Sequence, residues 1–360
     1  MNVEDQEERE AQALGWDAID EQLKGIYGDQ EPKHYGTMIP YILGGPDPLD
    51  GISAYLRAEP VPHWHFVTYG FSELYEKESE SVEESGYGFE LTFRLRKLDD
   101  EDEPPAWALN LLQNMGRYVF GSGNTFKSGD YLDANGPIAL EHDTRLTALA
   151  FIQDPELPEI QTPNGSVAFL QMVGITQNEL EAMQAWNTVG VLAEALSSGL
   201  LPLYITDLFR SSLLDDAELA QKLRQGAERE GSSTGFLFVD QLGWEEKKGL
   251  FRGISYTLVI GAKQASVISQ VLPGRALKER ALRLSSRDTL VVLRQGDQPG
   301  VQQQESGIEL VLSEEAIREL STRLTPVAQE FKLSSFKDLT VKVVRTEIKD
   351  QQGRVVDTIG

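Results

Sequence analysis

The sequence predicts an α+β protein of two domains, each a mainly antiparallel sheet with packed helices, joined by a short hinge. Three observations predict it. The chain has 360 residues, enough for two separate cores. Strand-like and helix-like segments both occur, without the regular strand–helix alternation of a doubly wound sheet. And "GSSTG", Gly231–Gly235, reads as a flexible linker between two halves that each carry apolar runs. The expected organisation is an acidic tail over 1–12, a first domain over 13–210 and a connecting helix and hinge over 211–235. A second domain over 236–350 and a loose tail over 351–360 complete it.

The elements follow in order. Ala13–Tyr27 places Leu14, Ile19, Leu23 and Ile26 along one helical stripe, and Gly28 stops it. In "GTMIPYILGGPDPLDGISAYL", glycines, prolines and aspartates between apolar segments mark a fixed turn. "HWHFVTYGF" reads as a strand. "YGFELTFRLRKL" alternates, with Phe89, Leu91, Phe93 and Leu95 on one face and Glu90, Thr92, Arg94 and Arg96 on the other. The acidic loop Glu76–Ser85 lies between these strands. "PPAWALNLLQNMGRYVFGSGN" enters a helix through proline and turns Trp107, Leu111, Met115 and Val119 to a core. "LTALAFIQDPELP" and "SVAFLQMVGI" are short strands. Thr176–Glu179 has capping-box spacing before one helix, "LEAMQAWNTVGVLAEAL", and "LPLYITDLFR" adds a last strand. A polar helix leads to the joint. The second domain shows five candidate strands, "GISYTLVIG", "ASVISQVLPG", "TLVVLRQG", "GIELVLS" and "DLTVKVVRTEI", and one helix, "SEEAIRELSTRL".

Composition narrows the function. Cysteine is absent, which excludes disulfides, thiolate metal sites and cysteine nucleophiles. The net charge of −24 disfavours nucleic acid and favours a basic partner. The acidic runs "EDQEERE", "EKESESVEES" and "LDDEDEPP" read as solvated tail and loops. No apolar run approaches the roughly 18 residues of a membrane span, and the N-terminus lacks a signal pattern, so a cytoplasmic protein is expected.

His63 and His65 are two of the four histidines, and on a strand their i, i+2 spacing puts both rings on one face. With nearby carboxylates they would serve a hydrolase, the alternative function. No third ligand stands at helical spacing, so no metal and no cofactor are expected. "GGPDPLDG" lacks the Lys-Ser/Thr ending of a phosphate loop, and Asp47 and Asp50 read as turn caps before a hydrolytic pair. "GSGNTF" lacks the G-x-S-x-G elbow.

Six segments occur in one order: "GGPDPLDGISAY", "HWHFVTYGFSELY", "GYGFELTFRL", "RYVFGSGNTFKSGDYL", "IQTPNGSVAFLQMVGIT" and "ITD". In that order they resemble the suppressor of fused family, over roughly residues 15–207. The likeness thins in the second half, where "LPGRALKER" is similar to a family segment, and the long insertion of animal members has no counterpart. The chain therefore resembles a compact bacterial relative. The resemblance implies a non-enzymatic binding protein of two α+β domains. Animal members grip an extended peptide of a Hedgehog-pathway transcription factor between their domains by strand addition. Carried over, Tyr118 in "RYVF" and Asp130 in "SGDYL" take peptide-contacting positions. Val267 in "ASVISQVLPGR" takes the position of an apolar strand residue, and Gln153 stands where the family has an acid. Bacterial relatives imply an immunity protein that binds and blocks a toxin, here a basic one.

Overall fold

Alternation along one strand organises the first half of the molecule. The computed structural model describes residues 13–39, 41–249, 253–305, 307–349 and 354–360. The chain divides into two compact units, one of residues 1–180 with 191–220, the other of 181–190 with 221–360.

The first unit is built on a sheet of eight strands: β1 Lys33–Gly36, β2 Gly51–Arg57, β3 His63–Tyr69, β4 Glu84–Arg96, β5 Tyr131–Asp133, β6 Leu146–Gln153, β7 Ile160–Thr162 and β8 Gly165–Thr176. Their order is β1-β2-β3-β4-β8-β6-β5, with β7 also paired to β8. Only β4 and β8 run parallel. Phe89, Leu91, Phe93 and Leu95 of β4 enter one core with Phe66, Phe151 and Met172. Helix α2, Ala106–Ser122, covers that face through Ala108, Leu112, Met115 and Val119. Met115 and Val119 face inward as expected, but Trp107 and Leu111 are only half-buried. The buried stripe therefore passes through Ala108 and Leu112, one residue further along the helix.

The opposite face is buried too. Helix α1, Leu14–Tyr27, lays Ile19 and Leu23 on Tyr55, Val67, Tyr69 and Phe169. Beside that cluster the polar side of β4 is closed in, with Glu90, Thr92 and Arg94 all at 0% exposure.

Two first-half expectations are corrected. The single helix after Thr176 is two, α3 Gln177–Ala185 and α4 Thr188–Ser197. Glu179 closes half of the capping box by accepting from the Thr176 N–H at 2.9 Å. The break follows from Asn187, whose Oδ1 accepts the Gly190 N–H at 2.5 Å and caps α4. "LPLYITDLFR" is not a strand but a 3-10 turn at Pro202–Tyr204 with one isolated bridge, Leu95 to Thr206. Pro202 has no N–H for a ladder, and Leu203 and Tyr204 hold positive φ of 49° and 55°.

The second unit takes residues 181–190 and resumes within α5, Ala217–Glu230. It contains β9 Phe236–Phe238, β10 Leu242–Gly249, β11 Gly253–Gly261, α6 Ala262–Ala276, β12 Leu282–Ser285, β13 Leu290–Gln295, β14 Gly300–Gln304 and β15 Gly307–Leu312. α7 Glu314–Arg323, β16 Gln329–Lys332, β17 Leu339–Val344, β18 Thr346–Lys349 and β19 Val355–Ile359 follow. The strands form sheets β10-β11-β17-β16 and β14-β15-β13-β12-β9 and a hairpin β18-β19. Parallel pairs β11–β17, β9–β12 and β13–β15 stand among five antiparallel ones. Ser313 caps α7 by accepting the Ala316 N–H at 3.2 Å.

Three expectations change here. "ASVISQVLPG" is part of helix α6, not a strand. Ala265, Ile268, Val271, Leu272 and Ala276 recur at helical spacing and all reach the core, which outweighs the strand preference of its β-branched residues. The "GSSTG" segment is pinned within the second unit. Ser232 N–H donates to Gly274 O at 3.0 Å, Ser232 Oγ to Gln184 O at 2.5 Å and Ser233 N–H to Trp186 O at 2.7 Å. Residues 355–359 of the expected tail form β19, paired to β18.

Candidate functional site

The paired histidines lie on the closed polar face. Both imidazoles are fully buried at 0% exposure. His63 Nδ1–H donates to Val61 O at 2.7 Å, which fixes its tautomer. The Tyr27 hydroxyl lies 2.5 Å from His65 Nδ1. Burial, followed by the charge of Arg94, lowers the His65 pKa to about 4. A neutral His65 therefore accepts from Tyr27 and turns Nε2–H towards Asp154 Oδ2, 3.4 Å away.

Asp154 is the hub of this layer. Arg94 donates to it through NH1 at 2.6 Å and NH2 at 3.1 Å, and Thr92 Oγ1 donates at 2.7 Å. Glu156 bridges Arg94 NH2 at 2.9 Å and Arg57 NH1 at 2.6 Å. Gln171 accepts from Arg94 and donates to Leu203 O at 2.9 Å. Burial works against the Asp154 carboxylate, but the facing His65 and Arg94 groups outweigh it and hold the pKa below the usual range. Since His65 is neutral, the Arg94 guanidinium supplies the charge. Side chains of β2, β3, β4 and β8 thus converge on Asp154 and Glu156: the Arg94–Asp154 pair is fully buried, Arg57 and Glu156 are partly exposed, and His65 Nε2 and Arg94 Nε make no hydrogen bond among the described residues. Neither His63 nor His65, the pair on which a hydrolase reading would rest, reaches solvent. Among the described residues no group of three or more His, Asp or Glu could hold a metal.

A second buried carboxylate shapes the turn after β3. Glu90 accepts from the Gly70 and Ser72 N–H groups at 3.0 and 2.9 Å and from the Ser72 and Thr68 hydroxyls, both at 2.6 Å. Burial raises its pKa to about 7, against the lowering effect of these donors. Asp47 and Asp50 do not cap their turn. Asp47 pairs with Arg117, and Asp50 is half-buried with no side-chain bond to another described residue.

Of the residues expected to meet a partner, three come together at one end of the first sheet. Tyr118, near the C-terminus of α2, is half-buried, with its ring stacked on Phe126 at 5.7 Å and its hydroxyl bonded by Asn124 Nδ2 at 3.1 Å. Phe126 in turn stacks on Phe151 of β6 at 4.0 Å. Asp130 is exposed, and its Oδ2 accepts the Lys127 N–H at 2.7 Å. Its carbonyl accepts the Phe151 N–H at 2.9 Å, so it leads directly into β5, an end strand of the sheet. Gln153 N–H donates to Ser128 Oγ at 3.1 Å, and its side-chain amide to Leu157 O at 2.9 Å, so its own amide is engaged. Val267 belongs to the second unit. It sits on helix α6, half-buried against that unit's core, and so supplies no strand backbone.

Sequence reading missed the ion layer. Its only signal was the polar side of β4, where Glu90, Thr92 and Arg94 alternate with core residues. Nothing local tells that α1 and neighbouring segments cover them.

The architecture defines a class first. Over 92% of this chain and 97% of the other, it superposes on the crystal structure of Drosophila Suppressor of Fused with a TM-score of 0.76 and 24% identity. This is the two-domain α+β fold of that protein. Residues 45–211 match the family model "Suppressor of fused protein (SUFU)", and with the 34% identical structure described below, covered over 97% of its length, the chain belongs to the suppressor of fused family. The Suppressor of fused homologs of Homo sapiens and Mus musculus are each 37% identical over 238 residues, 61% of this chain and 48% of the relative. The match thus spans about half the length of the curated relatives. A further structure, of the Sufu–Fu complex, matches with 34% identity and a TM-score of 0.55 over 59% of this chain and 97% of that one.

Proposed function

We propose that the chain is a non-enzymatic protein that holds an extended segment of a partner protein along the β5 edge, with Tyr118 as an aromatic wall and Asp130 as the charged contact. The carrying observation is the position of Asp130: exposed, and joined through its own backbone to an end strand of the sheet. An end strand offers main-chain pairing, and flanking side chains give specificity. That a relative of 34% identity has been solved as a Sufu–Fu complex supports a protein partner.

The finer reading is an immunity protein of a bacterial cytoplasm, neutralising a basic toxin. The net charge of −24 supports it, since opposite fields speed association.

The test uses Asp130→Asn, which keeps an acceptor for the Lys127 N–H and removes the charge. Against a partner recovered with the full chain, affinity should fall roughly ten- to a hundredfold, the worth of a charge-assisted hydrogen bond of about 1.5–3 kcal/mol. The melting temperature should hold. Unchanged affinity would remove Asp130 from the interface. For the finer reading, the recovered partner should be basic and toxic when expressed alone, and rescued by the wild type only.

A further inference from the structure

The first unit contains a cavity of about 780 Å³ that shares no residue with the Tyr118–Asp130 patch. Its walls are aromatic. Phe120 meets Tyr41 edge-on at 5.6 Å and Tyr87 edge-on at 5.0 Å, and Tyr75 closes another side. Four acidic residues, Asp50, Glu73, Glu76 and Glu78, line it together with these rings, and no lysine or arginine does. Glu73 is already committed. The N–H groups of Glu78 and Gly86 donate to it at 2.7 and 3.0 Å, the Ser79 N–H donates as well, and Lys77 pairs with it at 3.0 Å.

Asp50 is different. Its carboxylate is half-buried, yet it makes no hydrogen bond or ion pair with another described residue. Desolvation raises its pKa, and nothing nearby offsets that. Its charge is felt by Tyr75, whose pKa burial and Asp50 together raise. A desolvated carboxylate without a partner is costly, and one set among ring faces is the chemistry of a cation receptor. Beside the mouth, Met38, Ile39, Tyr41 and Leu43 are exposed at 97%, 53%, 48% and 74%. Such a run of exposed apolar side chains fits contact with a protein surface better than with a free ion.

We propose that this cavity receives a cationic side chain, arginine or lysine, from a bound protein, with Asp50 as counter-ion and the Tyr41, Tyr75 and Tyr87 rings as walls. The flanking apolar run packs against residues next to that cation. The chain's charge of −24 draws such a partner in. The receptor stands whether or not the β5 edge takes a strand.

The test uses the full chain labelled with 3-fluorotyrosine, with the Tyr41, Tyr75 and Tyr87 signals assigned by single Tyr→Phe changes. The probes are Nα-acetyl-arginine amide and its neutral citrulline counterpart. The arginine probe should shift these three signals saturably, at least about tenfold more tightly than the citrulline probe. Asp50→Asn should lose that preference and melt no lower than wild type, since it removes a charge that no described residue pairs with. Asp130→Asn should bind the probe as wild type does. Equal affinity for the two probes, no saturable shift, or loss of binding in Asp130→Asn would overturn the proposal. So would a lower melting temperature in Asp50→Asn, which would assign Asp50 to holding the turn.

Discussion

Two buried carboxylates of the first unit show how neighbours decide the state of one residue type. Asp154 and Glu90 lie on the same closed side of the sheet, at 4% and 0% exposure. Asp154 faces the Arg94 fork and stays ionised. Glu90 faces only neutral donors, from Gly70, Ser72 and Thr68, and burial raises its pKa from 4.5 to about 7. A folded pKa above the unfolded one gives stability that is full below about 4.5 and lost as pH rises through about 7. Glu90→Gln removes that dependence. Measured by denaturant unfolding, the stability of wild type relative to Glu90→Gln should fall between pH 4.5 and 7.5. A constant difference across that range would show that Glu90 titrates normally. His65 runs the other way. Its folded pKa of about 4 lies below the usual 6.5, so its contribution is present above 6.5 and lost as pH falls through about 4.

Among the elements, those whose pattern is decided by one partner surface were readable in the chain. Helix α1, strands β3, β4, β6 and β8, helix α2 and helix α7 all follow from periodicity and caps. Three features were not. The α3–α4 break depends on Asn187 acting as a cap inside an apolar run. Helix α6 carries Val267, Ile268 and Val271, residues that favour strands in isolation, and is decided by packing in the second core. The polar layer depends on α1 returning over the sheet. The expectation for Tyr118, Asp130 and Gln153 rests on family motifs alone, because an exposed aspartate in a turn has no pattern of its own. Close approach is equally invisible. A Cβ on Gly116 of α2 would meet Pro48 at 2.9 Å and Leu49 at 3.0 Å. Gly116→Ala should therefore destabilise the first unit by about 1–3 kcal/mol, despite alanine's better helix propensity. Stabilisation in a denaturant titration would mean that the turn yields.

At the scale of the whole molecule, the two units are not consecutive in the chain. Residues 181–190 leave the first, serve the second, and the chain then returns for 191–220. Trp186 explains why the excursion matters. Its indole N–H donates to Glu230 at 2.7 Å, and its ring fills the space over Gly226, where a Cβ would come within 2.6 Å. No single cut can therefore separate the halves. A polypeptide ending at Arg210 keeps Trp186 but lacks the helix it packs on, and one starting at Ser211 carries a bare glycine face on α5. Each fragment should express poorly or aggregate. Adding a copy of 181–190 to the N-terminus of the second fragment, through a linker, should recover cooperative melting. If the fragment from 211 onward melts cooperatively without that decapeptide, Trp186 is dispensable. The ten residues behave like a key left in the neighbour's door: any shuffling of these domains in evolution or by design has to move three joints together.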